Sequence, residues 1–410
     1  MPDVRELPST EAEVQASIRF YAERVKRDPG DFNAQNRLAD YHLQRLRETN
    51  NASDLEAATR AARVSMATVP AERNLSGLIA LAQAEQFAHN FSTARDLGQR
   101  LVKLVPNKEY SYEILADAQL ELGEYDKADD AVREMQRYGG ITLASETRQG
   151  RLAFLRGKAA VAHHHYANAI AAALQLSAPP RQPVAWCHWQ MGDLAFSTGD
   201  YASAQRHYRD ALIVFPDYYR ALAGMAKALA ALGDTAGAID YYGRAIERFP
   251  DPAFAAALGD LYHLQRREKD AAAQYQIVTA IARLNQANGQ LYNRQLALFD
   301  ADHDREPAEG YSNATREYAV RRDIYGADAL AWTALKAGKL AQARMAIKQA
   351  LRMGTQDAIL YYHAGMIAAA VGDHGASRAY LDRAIDLSPH FDPLQAPLAK
   401  RALGELSRHD

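Results

Sequence analysis

Residues 185–216 read AWCHWQMGDLAFSTGDYASAQRHYRDALIVFP, and residues 219–250 read YRALAGMAKALAALGDTAGAIDYYGRAIERFP. The two stretches repeat the same residue types at a constant separation of 34 positions. The matched pairs are Gly199 and Gly233, Ala204 and Ala238, Tyr208 and Tyr242, Ala211 and Ala245, and Pro216 and Pro250. A fixed period of this length indicates a chain built from stacked copies of one supersecondary unit.

Each copy has the pattern of two helices joined by a short turn. In the first copy, apolar residues recur at helical spacing from Trp186 to Phe196 and again from Tyr201 onwards. Gly199 lies between them, where a left-handed residue can end a helix, and Pro216 stops the second helix. A helix pair of this kind buries its apolar faces only against neighbouring copies.

The same offset joins Gly123 to Gly157 and, near the C-terminus, Gly338 to Gly372. This pattern resembles the tetratricopeptide repeat, and the resemblance covers nearly the whole chain. It implies an all-α fold, namely a right-handed superhelical α-solenoid of about nine to ten tetratricopeptide-like helix pairs.

Departures from the period predict seven segments along the chain. They are an N-terminal extension and capping helix (1–30), degenerate repeats (31–176), a Pro-rich linker (177–184), regular repeats (185–285), an atypical helix pair with an acidic loop (286–325), C-terminal repeats (326–391) and a C-terminal capping segment (392–410). The C-terminal module is similar to uncharacterised bacterial tetratricopeptide proteins, which are often exported.

Charge and hydropathy exclude several classes of protein. The chain of 410 residues has a formal net charge of −2 and a pI near 6.7, so it lacks the basic footprint of a nucleic-acid-binding protein. No apolar run approaches the length of a membrane-spanning helix. The first residues lack the pattern of a secretion signal, which favours a cytoplasmic protein. The alternative is a periplasmic or secreted protein whose leader has been removed, as the resemblance to exported proteins implies.

The motifs predict neither an enzyme nor a cofactor or metal site. Nucleophile elbows, phosphate-binding loops and dinucleotide fingerprints are missing. The consecutive side chains of His163–His165 would point about 100° apart on a helix, so they cannot bind one ion together. The acidic run from Asp300 to Asp304 has the spacing that begins a calcium loop. However, Arg305 replaces the required glycine and Tyr311 replaces the closing glutamate.

The remaining candidate for function is a protein-binding surface. In tetratricopeptide proteins, one stripe of the first helix of each pair faces the hollow side of the superhelix. Aromatic side chains there would provide the affinity for a bound peptide, and the charged side chains beside them would fix its register. The predicted partner-binding residues are Tyr110, Glu113, Asp117, Arg151, Phe154, Trp186, Trp189, Asp193, Phe196, Arg220 and Lys227. We therefore expect a non-enzymatic scaffold or adaptor that binds a peptide or protein partner in the concave groove.

Two alternatives to this prediction remain open at the level of sequence. Trp189 and Phe196 could pack against a neighbouring helix and never meet a partner. The protein could instead bind a small ligand in a pocket enclosed by the superhelix, near Trp186 and Asp193. A clamp for a C-terminal carboxylate is disfavoured, because no matching lysine follows the asparagines of an early unit.

Overall fold

The computed structural model describes residues 11–287 and 294–407. These residues form 22 α-helices, with two single turns of 3-10 helix and no strand among them. The helices are α1 (Glu11–Arg27), α2 (Phe32–Thr49), α3 (Ala52–Thr68), α4 (Leu75–Phe87), α5 (Phe91–Leu104), α6 (Tyr110–Glu121), α7 (Tyr125–Gly139), α8 (Leu143–Leu155), α9 (Ala159–Leu174), α10 (Arg181–Ser197), α11 (Tyr201–Val214), α12 (Tyr219–Ala231), α13 (Thr235–Arg248), α14 (Pro252–Leu264), α15 (Glu268–Ala287), α16 (Arg294–Asp302), α17 (Pro307–Val320), α18 (Ile324–Lys336), α19 (Leu340–Ala350), α20 (Ala358–Ala370), α21 (His374–Leu387) and α22 (Gln395–Leu406).

Successive helices from α2 to α21 pack as pairs, and α1 and α22 flank the paired helices at the two ends of the described chain. The predicted all-α solenoid of helix pairs is therefore confirmed. Residues 1–10, 288–293 and 408–410, which belong to the predicted N-terminal, atypical and C-terminal segments, lie outside the described residues.

The turn inside several pairs is specified by a glycine followed by an aspartate. Gly199 and Gly233 have φ values of 79° and 87°, which a side chain would disfavour, and each ends the first helix of its pair. The next residue caps the second helix: Asp200 accepts a hydrogen bond from the backbone N–H of Ser203 at 3.0 Å. The same cap recurs at Asp234 and Asp373. The dipeptide thus stops one helix and starts the next within two residues.

The close approach of α10, α11 and α12 depends on glycine and one buried tyrosine. The ring of Tyr208 on α11 is fully buried, and a Cβ placed at either Gly192 or Gly224 would lie 2.4 Å from it. The hydroxyl of Tyr208 donates to Asp193 Oδ1 at 2.6 Å. The same arrangement recurs on α14 and α15, where Tyr275 packs on a glycine and donates to Asp260 at 2.7 Å. The pairs α10–α11 and α14–α15 therefore hold a carboxylate at the same register position of their first helix.

The chain divides into two compact units. The first unit contains the residues up to Leu152 together with His164–Val184, and the second contains Ala153–His163 together with the chain from Ala185 onwards. One core cluster of the second unit packs α10 to α14 around Tyr208 and Tyr242. A separate cluster in the same unit surrounds Trp332, whose ring stacks on His363 at a centroid distance of 4.2 Å.

Candidate functional site

One face of α10 in the second unit carries the aromatic residues that the sequence singled out. Trp186, Trp189, Asp193 and Phe196 are spaced by three, four and three positions, so they share one side of the helix. The two tryptophan rings meet edge to face with centroids 6.4 Å apart. Both tryptophans are half-buried, whereas Phe196 is only 3% exposed and packs on Tyr201. The two tryptophans thus retain part of their surface, and Phe196 belongs mostly to the core.

Two cations from α12 lie over these rings. The guanidinium of Arg220 lies 5.2 Å from the centroid of Trp189, and the ammonium of Lys227 lies 4.1 Å from that of Phe196. Such contacts are attractive because the ring face is electronegative. Burial raises the pKa of Asp193, while Lys227, the hydrogen bond from Tyr208 and Arg220 oppose that rise. The structure therefore brings six predicted residues into one surface, called here the aromatic face: Trp186, Trp189, Asp193, Phe196, Arg220 and Lys227.

A cavity of about 280 Å³ adjoins the aromatic face in the second unit. Its wall is formed by α12 to α14 on one side and by residues around 390–400 on the other. Residues that line it include Phe196, Lys227, Tyr242, Asp260, Phe391 and Asp392. Asp260 accepts from Tyr275 and lies 2.8 Å from His303 Nε2, so this carboxylate already has two partners. The cavity combines apolar walls with charged groups at its edges.

The C-terminal wall of the cavity is attached to the turn between α10 and α11. The hydroxyls of Tyr201 and Ser388 lie 2.9 Å apart, and the backbone N–H of His390 donates to the hydroxyl of Tyr201 at 2.8 Å. Ser388 also donates to the carbonyl of Phe196 at 3.1 Å. These contacts join residues 187 to 192 positions apart within one unit, and they hold the C-terminal segment against the C-terminal end of α10.

The predicted residues of the first unit have a different environment. Arg148 on α8 binds both carboxylate oxygens of Asp117 at 2.6 and 3.0 Å and lies 3.5 Å from Glu113. Arg151 forms an ion pair with Glu121. Burial raises the pKa of Glu113, and Arg148 opposes that rise. The charges expected to meet a partner are thus matched by neighbouring side chains in the same unit.

The two aromatic residues that remain from the prediction are both half-buried. Tyr110 packs beside the buried side chains of Leu78 and Leu101 in the first unit. Phe154 belongs to the second unit, near the end of α8.

The acidic run expected as a loop is largely helical. Helix α16 continues through Asp302, so only residues 303–306 link it to α17. The carboxylates have separate partners: Asp302 accepts from Trp332 Nε1 at 2.8 Å, and Asp304 pairs with Lys336 at 2.7 Å. Burial raises the pKa of Asp300 to about 6, although Arg305 opposes the rise. Hydrogen bonds and ion pairs therefore direct these side chains to different neighbours.

The structure also brings together three residues that the sequence analysis missed. His188, His207 and Asp210 each offer a ligand atom, and these atoms all lie within 4.8 Å of one another. It is the single such cluster of three within residues 11–287 and 294–407. The spacing of His207 and Asp210 on α11 was a usable signal, since residues three apart share a helix face. By contrast, His163 and His164 are exposed, and His165 contacts Glu146 at 2.8 Å.

Comparison with known proteins identifies repeats in two parts of the second unit. Family models described as tetratricopeptide repeat match residues 195–261 and 329–390. No curated protein matches the sequence. None of the helices within the described ranges is long and apolar enough to cross a membrane.

Several solved structures are similar to parts of the chain at low sequence identity. MamA is 17% identical over 41% of this chain and 94% of its own, with a TM-score of 0.33. TTC0263, a thermophilic TPR protein in Thermus thermophilus, is 16% identical over 53% of this chain and 99% of its own, with a TM-score of 0.40. PilW, a widely conserved type IV pilus biogenesis factor, is 16% identical over 56% of this chain and 97% of its own, with a TM-score of 0.40.

Proposed function

Because this chain is a tetratricopeptide repeat protein, we propose that it is a non-enzymatic scaffold whose aromatic face holds a peptide segment of a partner protein. Repeat proteins of this kind present extended surfaces for protein interaction, so the general role follows from the architecture. The observation that carries the finer proposal is the pair of half-buried tryptophans with Arg220 beside them. Tryptophan and arginine are the residues that most often dominate the binding energy of protein interfaces.

The charges of the aromatic face would set the orientation of the bound segment. Arg220 and Lys227 place positive charge over the rings, and the Asp193 carboxylate lies near both cations. A segment that brings an acidic residue to the cations and a large apolar side chain to the tryptophans matches this arrangement. Charge complementarity of this type fixes register and partner choice more than affinity.

The first experiment is affinity capture from a lysate of the native host, with readout by mass spectrometry. Wild type is compared with the double variant Trp186→Ala/Trp189→Ala, whose helicity is checked by circular dichroism. A peptide from the captured partner is then titrated by calorimetry, and we expect the double variant to bind at least ~10-fold more weakly, as loss of interface anchors implies.

The matched control is Phe20→Ala on α1, which removes an aromatic side chain that is 61% exposed and lies outside the aromatic face. Equal binding by wild type and this control, with loss in the double variant, supports the proposal. A folded double variant that binds the peptide as well as wild type does would contradict the proposal. Loss of helicity in the double variant would instead mean that the tryptophans serve the core.

A second candidate function is favoured by the cavity beside Phe196. Its volume of about 280 Å³ exceeds the ~150 Å³ in which a protein cavity holds benzene, so a small amphipathic molecule would fit there. Native mass spectrometry of the purified chain would detect such a ligand. The variant Ala257→Phe fills the cavity from α14 and leaves the tryptophans in place. Loss of a bound ligand with retained peptide binding would assign the two functions to separate places.

A further inference from the structure

The trio His188, His207 and Asp210 lies within one helix pair of the second unit. His188 is on α10, and the other two residues are three positions apart on α11. All three are half-buried, so they are accessible to an ion from solvent but held by the packing of the pair. None of them belongs to the aromatic face, and the proposed scaffold function does not use them.

The separations suit one metal ion after a small adjustment of side chains. Bonds of about 2.0–2.2 Å from a tetrahedral ion to nitrogen and oxygen place the ligand atoms about 3.3–3.6 Å apart. The three ligand atoms already lie within 4.8 Å of one another without an ion. Side-chain rotations that bring the ligand atoms closer by about an ångström would complete the geometry.

A second, independent observation concerns the imidazoles. The Nδ1 atoms of His188 and His207 are buried and lack a hydrogen-bond partner in the part of the chain that the structure describes. Buried polar atoms are seldom left unsatisfied, and each such atom is costly. Burial lowers the pKa of both histidines, and the neighbouring His163 and His188 lower that of His207 further. Asp210 opposes this lowering, and a lowered pKa favours the neutral imidazole, which is the form that binds metals.

We propose that His188, His207 and Asp210 form a binding site for a divalent transition-metal ion of the zinc class. Two imidazole nitrogens and one carboxylate oxygen are donors that Zn²⁺ accepts in proteins, and three protein ligands leave a position for water. Nitrogen donors favour this class of ion over Mg²⁺ and Ca²⁺, which require oxygen. The ion would join the two helices of the α10–α11 pair and stabilise the folded chain.

The test is titration of the untagged full chain with ZnCl₂ by calorimetry and with CoCl₂ by visible absorption. We expect one equivalent to bind, with the d–d bands of a tetrahedral Co²⁺ site. His188→Asn, His207→Asn and Asp210→Asn should each weaken binding by at least ~10-fold, because each removes a ligand. Zn²⁺ should also raise the Tm of wild type and not that of the variants, since an ion bound only to the folded state stabilises it.

The matched control is His164→Ala, which removes an exposed histidine close in sequence but outside the trio. This control should bind Zn²⁺ as wild type does. Three near-isosteric variants are used so that a misfolded one, recognised by circular dichroism, leaves the others informative. Uptake by wild type that equals uptake by the folded trio variants would overturn the proposal, as would the absence of one-to-one binding.

Discussion

Helices α6 and α8 of the first unit present paired charges, whereas α10 of the second unit presents aromatic rings. On α8, Arg148 satisfies the carboxylate of Asp117 through two hydrogen bonds. On α10, Trp189 lies beside the ring of Trp186 and under the delocalised charge of Arg220 from α12. Charges that are already paired contribute little binding free energy when a partner protein displaces water from them. Half-buried aromatic side chains contribute more, because a partner that covers them removes apolar surface from water. One surface therefore has charges that are paired within the unit, and the other keeps aromatic side chains that are only half-buried.

Two individual carboxylates, one from each unit, also have different partners. Asp117 has an arginine partner, but Asp302 in the second unit accepts hydrogen bonds from the neutral groups of Trp332 and Gln395. Burial raises the pKa of Asp302 to about 6, and the nearby His363 opposes the rise. Asp302 thus keeps its proton to a higher pH than an exposed aspartate does, whereas Asp117 lies beside a cation.

The largest expected effect tests whether the helix pairs of both units depend on the same packing of a buried tyrosine on glycine. This packing is called here the shared scaffold. Tyr208→Ala removes a fully buried ring that packs on Gly192 and Gly224, and we expect a loss of about 3–5 kcal/mol in the free energy of unfolding. Tyr166→Ala in the first unit removes a ring packed on Gly150 in the same way and should cost a similar amount. Urea unfolding followed by circular dichroism measures both.

A much smaller cost for Tyr166→Ala than for Tyr208→Ala would contradict a shared scaffold. Tyr208→Phe is the conservative control, because it keeps the ring and removes only the hydrogen bond to Asp193. It should cost about 1–2 kcal/mol, as expected for a hydrogen bond to a charged group that is partly accessible to water.

An intermediate effect is expected when the charge pairing of the first unit is broken. Arg148→Met leaves Glu113 and Asp117 without their cation and should cost about 1–3 kcal/mol at pH 7. Burial already raises the pKa of Glu113, and loss of Arg148 raises it further, so the folded state then holds its proton to higher pH. The destabilisation should therefore be greatest at high pH and shrink as the pH falls below about 5.

Thermal unfolding at several pH values measures this dependence. The matched control is Arg133→Met, which breaks an exposed pair with Asp129 on the surface of α7. Its effect should stay below about 0.5 kcal/mol at every pH, since exposed pairs contribute little. Equal costs for the two arginine variants would mean that the pairing on α8 is no more than a surface feature.

The smallest effect is expected at the carboxylate without an arginine partner. In the folded state, the pKa of Asp302 is about 6, above its ordinary value of 3.8. Its burial therefore costs stability progressively as the pH rises from about 4 through 6, because the unfolded chain releases this proton first. Asp302→Asn keeps an acceptor for Trp332 and should raise the Tm at pH 8 by a few degrees, with little change at pH 4. An equal shift at both pH values would contradict this assignment.

The period of 34 residues predicted the helix pairs because the turn chemistry is local. Gly199 followed by Asp200 ends one helix and caps the next through contacts within five residues, so the sequence itself contains the signal. The grouping of Trp186, Trp189 and Asp193 on one face likewise follows from helical spacing alone. These parts of the fold and of the candidate site could be predicted without the structure.

Other features depend on contacts that no local pattern encodes. Phe196 lies on the same helix face as the half-buried Trp186 and Trp189, so its spacing in the sequence does not reveal its burial. The burial follows from the packing of Tyr201 against it. The trio of His188, His207 and Asp210 requires the relative rotation of α10 and α11, which spacing on either helix leaves undetermined. The contact between Tyr201 and Ser388 depends on the accumulated geometry of every repeat between them.

That contact also limits how this protein can change in evolution. An open repeat array lengthens or shortens by duplication or loss of a unit, because each unit touches only its neighbours. In the second unit, Tyr201 bonds to Ser388 and Thr355 bonds to the carbonyl of Leu155, so both bonds span many pairs. One additional pair between these positions would move both sets of partners out of register at once. A change in the number of repeats in this unit would therefore cost both bonds.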